Sequence, residues 1–279
     1  TLGGSTSIST WGSAGVTNSR LRLTGPIELG SNTLTFTQCV TAGAVTWIEV
    51  NGPIRGTGSV IVDGTAAVYI NGANTYTGAT TVRTGLLGGA GSIAGAVIVE
   101  SGATIAPGTP DDATAILTVG SLALGAGSLA RMEIGGTSAG TFDQIVSAGN
   151  IGFGPTGGNL TIDFLSGGFA TGDLWQLFSG GSFSGHLNSV TATGVYGELS
   201  FAYLGNGEWR ATGGSLANGQ SLSFYENDSQ AWNGRFRAGQ LVVVPEPSAV
   251  VLAGLGLFIA GFRHWSRRRA ARSGDATAA

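Results

Sequence analysis

One serine motif could make this chain a hydrolase. Gly136–Gly140 matches G-x-S-x-G, the pattern that places a nucleophilic serine, here Ser138, on a turn between a strand and a helix. The residues that follow, Thr141–Val146, favour a strand instead of a helix. His186 is the only histidine before the C-terminal tail that could serve as a base. In a chain rich in glycine and serine such a match arises by chance, so we predict no catalytic serine.

Five acidic residues raise the possibility of a polysaccharide-active enzyme. Hydrolysis of a glycoside needs two carboxylates at a set separation. Asp63 and Glu100 occupy equivalent positions of a repeat and could stack, whereas Glu133, Asp143 and Asp163 cannot be placed from the sequence. We expect these acids to lie on turns and outward strand faces, where they keep the protein soluble. A lyase or hydrolase remains the alternative.

Metal and nucleic-acid sites are not expected. Asp111 and Asp112 are adjacent, so their carboxylates point apart, and a solvated turn is favoured over a calcium site. Cys39 is the single cysteine, which excludes an intrachain disulfide. Eight arginines and fourteen acidic residues precede Val244, giving this part a net charge of −6. An acidic body argues against nucleic-acid binding, and we predict no cofactor.

The composition indicates a β protein with many turns. Glycine supplies 50 of 279 residues, well above the usual share of roughly 7%. Apolar residues make up 42% of the chain, too many for a disordered protein. All thirteen basic residues are arginine. Residue 1 is threonine and the single methionine is Met132, so we expect a fragment or a processed form.

Residues 72–108 show how such elements would be arranged. The β-branched run Thr80–Val82 and the run Ala96–Val99 are short, and glycine-rich turns bound both. No segment here has helical spacing. The pattern predicts one and a half coils of a β-solenoid.

Two degenerate repeats support stacked coils. Gly25–Ile27 recurs as Gly52–Ile54, an offset of 27, and Ile61–Gly64 recurs as Ile98–Gly102, an offset of 37. Such periods fit one or two coils of a solenoid. Neighbouring coils must then stack to bury their apolar faces.

The residues around the first glycine-rich turn resemble the autotransporter-associated β-strand repeat of secreted and surface proteins of bacteria. The residues that carry this resemblance are Gly72, Asn74, Thr75, Tyr76, Thr77, Gly78, Thr80, Thr81, Val82 and Gly85. The resemblance covers residues 72–108 and implies a right-handed parallel β-helix. It implies no ligand and no catalytic residue.

The sequence pattern changes near residue 183. Strands are predicted at Leu199–Leu204, Gly207–Thr212 and Ser221–Tyr225, and Asn206-Gly207 is a strong hairpin signal. We therefore predict a parallel β-helix over residues 1–182 and an antiparallel cap over 183–244. The cap would cover the open end of the stack with Phe201, Tyr203, Trp209, Phe224 and Trp232.

The tail has three parts in order. A proline-flanked acid precedes an uncharged apolar run, residues 248–262, and an arginine cluster follows that run. The run predicts a single C-terminal transmembrane helix, although 15 residues span only roughly 22 Å against a hydrocarbon core of roughly 30 Å. The arginines should stay cytoplasmic and leave the body outside. The three parts comprise Pro245, Glu246 and Pro247; the span 248–262; and Arg263, Arg267, Arg268 and Arg269, before a polar tail at 273–279.

This order resembles the PEP-CTERM sorting signal, here over residues 245–272. In that family the tail holds an exported protein in the inner membrane. An exosortase, a membrane processing enzyme, cuts near the Pro-Glu-Pro motif and passes the body to the envelope or exopolysaccharide. The resemblance therefore implies an exosortase partner for Pro245–Pro247.

The sequence predicts an all-β protein: a right-handed parallel β-helix, an antiparallel cap and one membrane helix. We expect an exported structural or adhesive protein of the cell surface or exopolysaccharide, with no enzymatic activity and with extracellular polysaccharide as a partner. The alternatives are a polysaccharide-active enzyme, an autotransporter passenger fragment and a membrane-tethered receptor. The apolar span with its arginines disfavours the passenger fragment.

Overall fold

The protein is built from strands and turns. The computed structural model describes residues 1–12, 19–40, 46–65, 67–111, 114–154, 157–212, 216, 220–227 and 237–245. These residues form two long sheets, A and B, and a small two-stranded sheet, and the described ranges contain no helix. The all-β prediction is confirmed, and the long parallel sheets are consistent with a β-helix.

Sheet A has eleven strands and its pairs are all parallel. Its strands are β1 (Thr6–Gly12), β4 (Leu34–Val40), β7 (Val60–Asp63), β9 (Ala73–Asn74), β10 (Thr80–Val82), β12 (Ser92–Val99), β14 (Ile116–Leu124), β16 (Gln144–Ser147), β17 (Asn150–Gly152), β20 (Phe178–Ser179) and β21 (Ser182–Ser184).

Sheet B has thirteen strands, parallel in its first part and antiparallel in its last. The parallel strands are β2 (Ser19–Leu23), β5 (Thr46–Val50), β8 (Ala67–Ile70), β11 (Leu86–Gly89), β13 (Thr104–Pro107), β15 (Leu129–Ile134), β18 (Asn159–Phe164) and β22 (Ser189–Gly194). The others are β19 (Leu174–Gln176), β23 (Leu199–Gly205), β24 (Glu208–Thr212), β25 (Gln220–Tyr225) and β26 (Gln240–Pro245). The small sheet pairs β3 (Ile27–Glu28) with β6 (Ile54–Arg55).

The chain alternates between the two sheets, and each passage through both of them forms one layer. Ile27 pairs with Ile54, so the offset of 27 corresponds to one layer. Val62 pairs with Val82 of β10, which pairs in turn with Val99, so the offset of 37 corresponds to two layers. Both repeats found in the sequence therefore mark the stacking of layers.

The core lies between sheets A and B. Strand residues alternate between buried and more exposed positions, because successive side chains of a strand point to opposite faces. Pairing aligns the inward positions into apolar columns along the stack, which is how each layer removes the next one's surface from water. One column in sheet B consists of Ile48, Val68, Leu87, Ile105, Ala130, Leu160 and Val190, all buried.

Glycines allow the layers to approach each other at the turns. A Cβ atom on Gly72 would lie 2.5 Å from the carbonyl oxygen of Gly52 in the layer below, and Gly52 and Gly91 are obstructed by backbone in the same way. A contact this short with backbone cannot be relieved by rotating a side chain. The glycine at this corner is therefore needed for the spacing between layers.

Two residues of the predicted repeat motif are buried polar groups, and one of them, Asn74, joins layers. Asn74 Oδ1 accepts a hydrogen bond from the Ile54 N–H (2.8 Å), and its Nδ2 donates to the carbonyls of Gly72 (2.7 Å) and Ser92 (2.9 Å). The fully buried Tyr76 shares a hydrogen bond with the Thr80 hydroxyl, and burial raises the pKa of its phenol. Asn74 therefore satisfies backbone groups of three successive layers.

The antiparallel part begins later than the sequence predicted. β21 and β22 still pair in parallel with β17 and β18, and the run of consecutive antiparallel strands begins where β22 pairs with β23 at Leu199. Phe178 and Val190 continue the apolar columns of the preceding layer, which explains why stacking extends past residue 183. β19 also joins the antiparallel part by pairing with β26.

The hairpin between β23 and β24 is confirmed. Asn206 has a positive φ of 55°, as a tight turn at Asn-Gly requires, and the two strands pair antiparallel on either side. Phe201, Trp209 and Phe224 are buried at this end of the stack, and Tyr203 is exposed. Trp232 lies outside the described residues.

We expect Gly72→Ala to lower the free energy of unfolding by about 2 kcal/mol or more, because the added Cβ meets backbone that cannot move aside. Gly25→Ala is the matched control, since nothing lies within 4 Å of a Cβ at that position. Urea unfolding followed by tryptophan fluorescence measures both variants. Equal stability of the two variants would contradict the spacing argument.

Candidate functional site

A cleft of about 280 Å³ opens on the outer face of sheet B. It exists because the outward row of side chains is interrupted: Tyr69 and Arg131 are large, and between them the row contains only Gly88 and Ala106. The residues that line it are Tyr69, Leu86, Ala106, Pro107, Gly108, Thr109, Pro110, Arg131 and Glu133.

Tyr69 forms one wall of the cleft. Its ring lies over Gly88, where a Cβ atom would come within 2.8 Å of Tyr69 Cδ1. Burial raises the pKa of the Tyr69 phenol, while the charge of Arg131 lowers it and that of Glu133 raises it. The phenol therefore lies within electrostatic reach of both charged groups of the cleft.

Arg131 and Glu133 form the polar side of the cleft. They alternate on β15, so both point outward, and Arg131 Nη2 donates to Glu133 Oε1 at 3.2 Å. The Arg131 side chain is 44% exposed and that of Glu133 16%. Burial raises the pKa of Glu133, Arg131 opposes this shift, and Asp163 on the neighbouring strand adds to it.

Asp143 lies behind Glu133 and is fully buried. Its two carboxylate oxygens accept hydrogen bonds from the N–H groups of Ala115 (2.8 Å) and Glu133 (2.9 Å). Burial raises the pKa of Asp143 to about 7, because the two hydrogen bonds only partly offset the loss of water. Both oxygens are occupied by backbone, so Asp143 acts as a structural link.

A charged network holds the loop that forms the rim of the cleft. Asp111, at the end of this loop, pairs with Arg20 at 2.8 Å, and Arg20 also pairs with the buried Glu49 at 3.1 Å. Burial acts to raise the pKa of Glu49, but hydrogen bonds from Trp47, Arg22 and Arg20 outweigh it and lower the pKa. The Asp111 turn is thus tied to the first layer, and Asp112 lies outside the described residues.

The acids at the repeat positions are separated by an arginine. Asp63, Arg83 and Glu100 directly follow three paired valines, so they occupy the same place in three successive layers. Arg83 Nη1 lies 3.6 Å from Asp63 Oδ2. Asp63 and Glu100 therefore do not stack directly on each other, because a cation lies between the two carboxylates.

The serine motif has no catalytic geometry. Ser138 lies in the turn between β15 and β16, and a strand follows it where a nucleophile elbow needs a helix. His186 instead contacts the fully buried Glu226 at 2.7 Å, and Glu226 also accepts hydrogen bonds from the Leu187 N–H and Trp209 Nε1. This carboxylate ties the last parallel layer to the antiparallel strands. Among the described residues, no three His, Cys, Asp or Glu side chains could hold a metal ion together.

The strand that leads into the tail is enclosed by two others. β26 pairs with β25 on one side and β19 on the other. The Val243 N–H donates to the Asp173 carbonyl (2.9 Å), the Gly172 N–H donates to the Val243 carbonyl (2.8 Å), and Pro245 ends the strand opposite Gln220. Pro245 is thus part of the folded body.

The remaining predicted tail residues lie outside the described residues: Glu246, Pro247, the span 248–262, Arg263, Arg267, Arg268 and Arg269, and residues 273–279. Within the described part, no helix is long and apolar enough to cross a membrane.

Residues 243–269 match the PEP-CTERM protein-sorting motif. This motif implies an exported protein that is anchored in a membrane for sorting and is recognised by exosortase. No curated protein and no solved structure matches the chain significantly. The resemblance of Gly72–Gly85 to the autotransporter-associated repeat stays a prediction.

The sequence did not predict the cleft. Arg131 and Glu133 are two residues apart in a predicted strand, and this spacing indicates that both side chains lie on the same face of the sheet. The contribution of Tyr69, and the neighbouring position of Asp163 opposite Glu133, required the register between layers.

We expect the wild-type protein to have a larger free energy of unfolding than Asp143→Asn at pH 5. This difference should shrink as the pH rises from 5 to 8. Folding raises the pKa of Asp143 from 3.8 to about 7 and so favours the protonated acid. The contribution of this group is full below pH 4 and is lost as the pH approaches 7. Urea unfolding of both proteins at each pH measures it, and a difference that grows with pH would contradict the assignment.

Proposed function

We propose that this chain is an exported structural or adhesive protein of the cell surface or exopolysaccharide, with no catalytic role. Its body would be a right-handed parallel β-helix that presents long, regular faces to a polysaccharide or to another cell. The stacked layers, the parallel sheets and the sorting motif support this proposal. Recognition would then depend on shape and on rows of side chains along the stack.

The observation that carries the proposal is the direct continuation of the body into the sorting motif. The motif begins at residue 243, inside β26, which ends at Pro245. A membrane helix at 248–262 with cytoplasmic arginines would therefore hold the body directly against the non-cytoplasmic surface of the membrane that the helix crosses. An exosortase would act at this junction.

The pairing of β26 also limits where the tail can be cut. Val243 and Val244 are buried and paired, and proteases need an extended, accessible chain. A cut before Pro245 would remove part of a strand that lies between two others. We therefore expect the mature body to end at Pro245 or shortly after it.

Mass spectrometry of the mature protein tests this expectation. The full-length chain is expressed in a bacterium that has an exosortase, and the C-terminus of the secreted or surface form is determined. We expect a mature end between Pro245 and the apolar span, and co-fractionation of that form with extracellular polysaccharide. An intact Ala279 in that form would contradict processing.

Matched variants locate the signal. Replacing Arg267, Arg268 and Arg269 together by glutamine should leave the protein unprocessed, because these residues lie in the matched motif. Arg272→Gln is the control, since residue 272 lies beyond the match. A mature body that is processed but never associates with surface or polysaccharide would contradict the adhesive role.

A polysaccharide-active enzyme is the second candidate. Glu133 and Asp163 are paired across neighbouring strands, and burial together with Asp163 raises the pKa of Glu133. A carboxylic acid of raised pKa beside a second carboxylate is the arrangement that glycosidases use. The Asp163 carboxylate accepts a hydrogen bond from Thr193, which fits a structural role as well.

The release of reducing sugar from acidic and neutral polysaccharides separates the two candidates. We expect none from wild-type protein. Release that is abolished by both Glu133→Gln and Asp163→Asn would establish the enzyme instead.

A further inference from the structure

The cleft between Tyr69 and Arg131 has the make-up of a small-molecule site. Three strand spacings separate the two residues along sheet B, roughly 14 Å at about 4.8 Å for each spacing. Ala106 lies between these walls, Leu86 also lines the cleft, and prolines lie at the rim. Binding sites combine apolar walls with a few convergent polar groups. At about 280 Å³ the cleft suits a single ring with its substituents.

The rim of the cleft is held in place before any ligand binds. Gly89 and Gly108 exchange two backbone hydrogen bonds, of 2.8 and 3.1 Å. Proline fixes φ at both Pro107 and Pro110, and Asp111 is tied to Arg20. A preformed site loses little conformational freedom on binding.

The Arg131 guanidinium has N–H donors beyond the one that binds Glu133. An arginine side chain carries five N–H donors. Its guanidinium makes one hydrogen bond within the described part of the chain, to Glu133 Oε1, and the side chain is 44% exposed at the cleft. A planar guanidinium with open donors binds a carboxylate through two parallel hydrogen bonds.

Glu133 restricts the charge of the ligand. Its carboxylate lies beside Arg131, so a dianion such as phosphate would be repelled by Glu133 while it paired with the arginine. A ligand with one carboxylate meets a smaller repulsion because it carries one negative charge instead of two, and its hydroxyls can donate to Glu133. The ring of Tyr69 offers a flat apolar surface to the C–H face of a sugar ring.

We propose that this cleft binds one uronic-acid residue of an acidic polysaccharide. The sugar carboxylate pairs with Arg131, a ring hydroxyl donates to Glu133, and the ring packs against Tyr69. The proposal rests on the polysaccharide association proposed above and names the class of polysaccharide and the residues that bind it.

Isothermal titration calorimetry on the full-length protein tests this assignment. The probes are methyl β-D-glucuronide, methyl β-D-glucoside and inorganic phosphate. We expect the glucuronide to bind at least tenfold more tightly than the glucoside, since they differ only by the carboxylate that Arg131 binds. Equal binding of the two sugars, absence of glucuronide binding at millimolar concentration, or tighter binding of phosphate would each overturn the proposal.

Variants assign the binding to the cleft. Arg131→Gln should weaken glucuronide binding at least tenfold and leave the glucoside unchanged. Arg55→Gln is the matched control: Arg55 is exposed and pairs with Glu28 at 3.2 Å on a separate sheet. Circular dichroism confirms that each variant is folded. Wild-type affinity in Arg131→Gln would overturn the proposal.

The experiments distinguish an error in the proposed cleft ligand from an error in the proposed function of the whole protein. If glucuronide does not bind but the mature protein still co-fractionates with polysaccharide, the cleft assignment alone is wrong. If the mature protein does not co-fractionate with polysaccharide at all, the proposed function is wrong.

Discussion

The distance between stacked layers is the constraint on which this structure depends. Parallel pairing holds neighbouring backbones about 4.8 Å apart, and at the corners even a methyl group would meet a carbonyl of the layer below, as at Gly72. Glycine at these corners is therefore a requirement of stacking. Once the layers are in register, apolar columns such as Ile48–Val68–Leu87 follow from the alternation of strand side chains.

Buried polar side chains also connect the structure along the direction in which the layers stack. Asn74 binds backbone of the layers on both sides, Asp143 joins Ala115 to Glu133, and Glu226 connects the last parallel layer to the antiparallel strands. Each of these side chains satisfies donors or acceptors that a turn or a strand end leaves unpaired. They also fix the register, because a layer shifted by one residue would bury these groups without partners.

The stacking could be predicted from the sequence, but the outer face could not. The offsets of 27 and 37 residues reported one and two layers, because the same corner and the same apolar positions return in each layer. The start of the antiparallel part was placed too early, since Phe178 and Val190 continue the core columns without any repeat motif. The cleft depends on which outward residues become neighbours, and layers of unequal length conceal that from sequence spacing.

The position of β26 determines how the body would respond to a mechanical load. The strand pairs with β25 from Gln240 to Pro245 and with β19 from Gln240 to Val242. Tension applied to Pro245 along the strand axis would load these hydrogen bonds in shear, so that many must break at once. Under the proposed sorting, a body tethered in this way would resist extraction until the chain beyond the strand is cut, so that release would be a chemical event instead of a gradual unravelling.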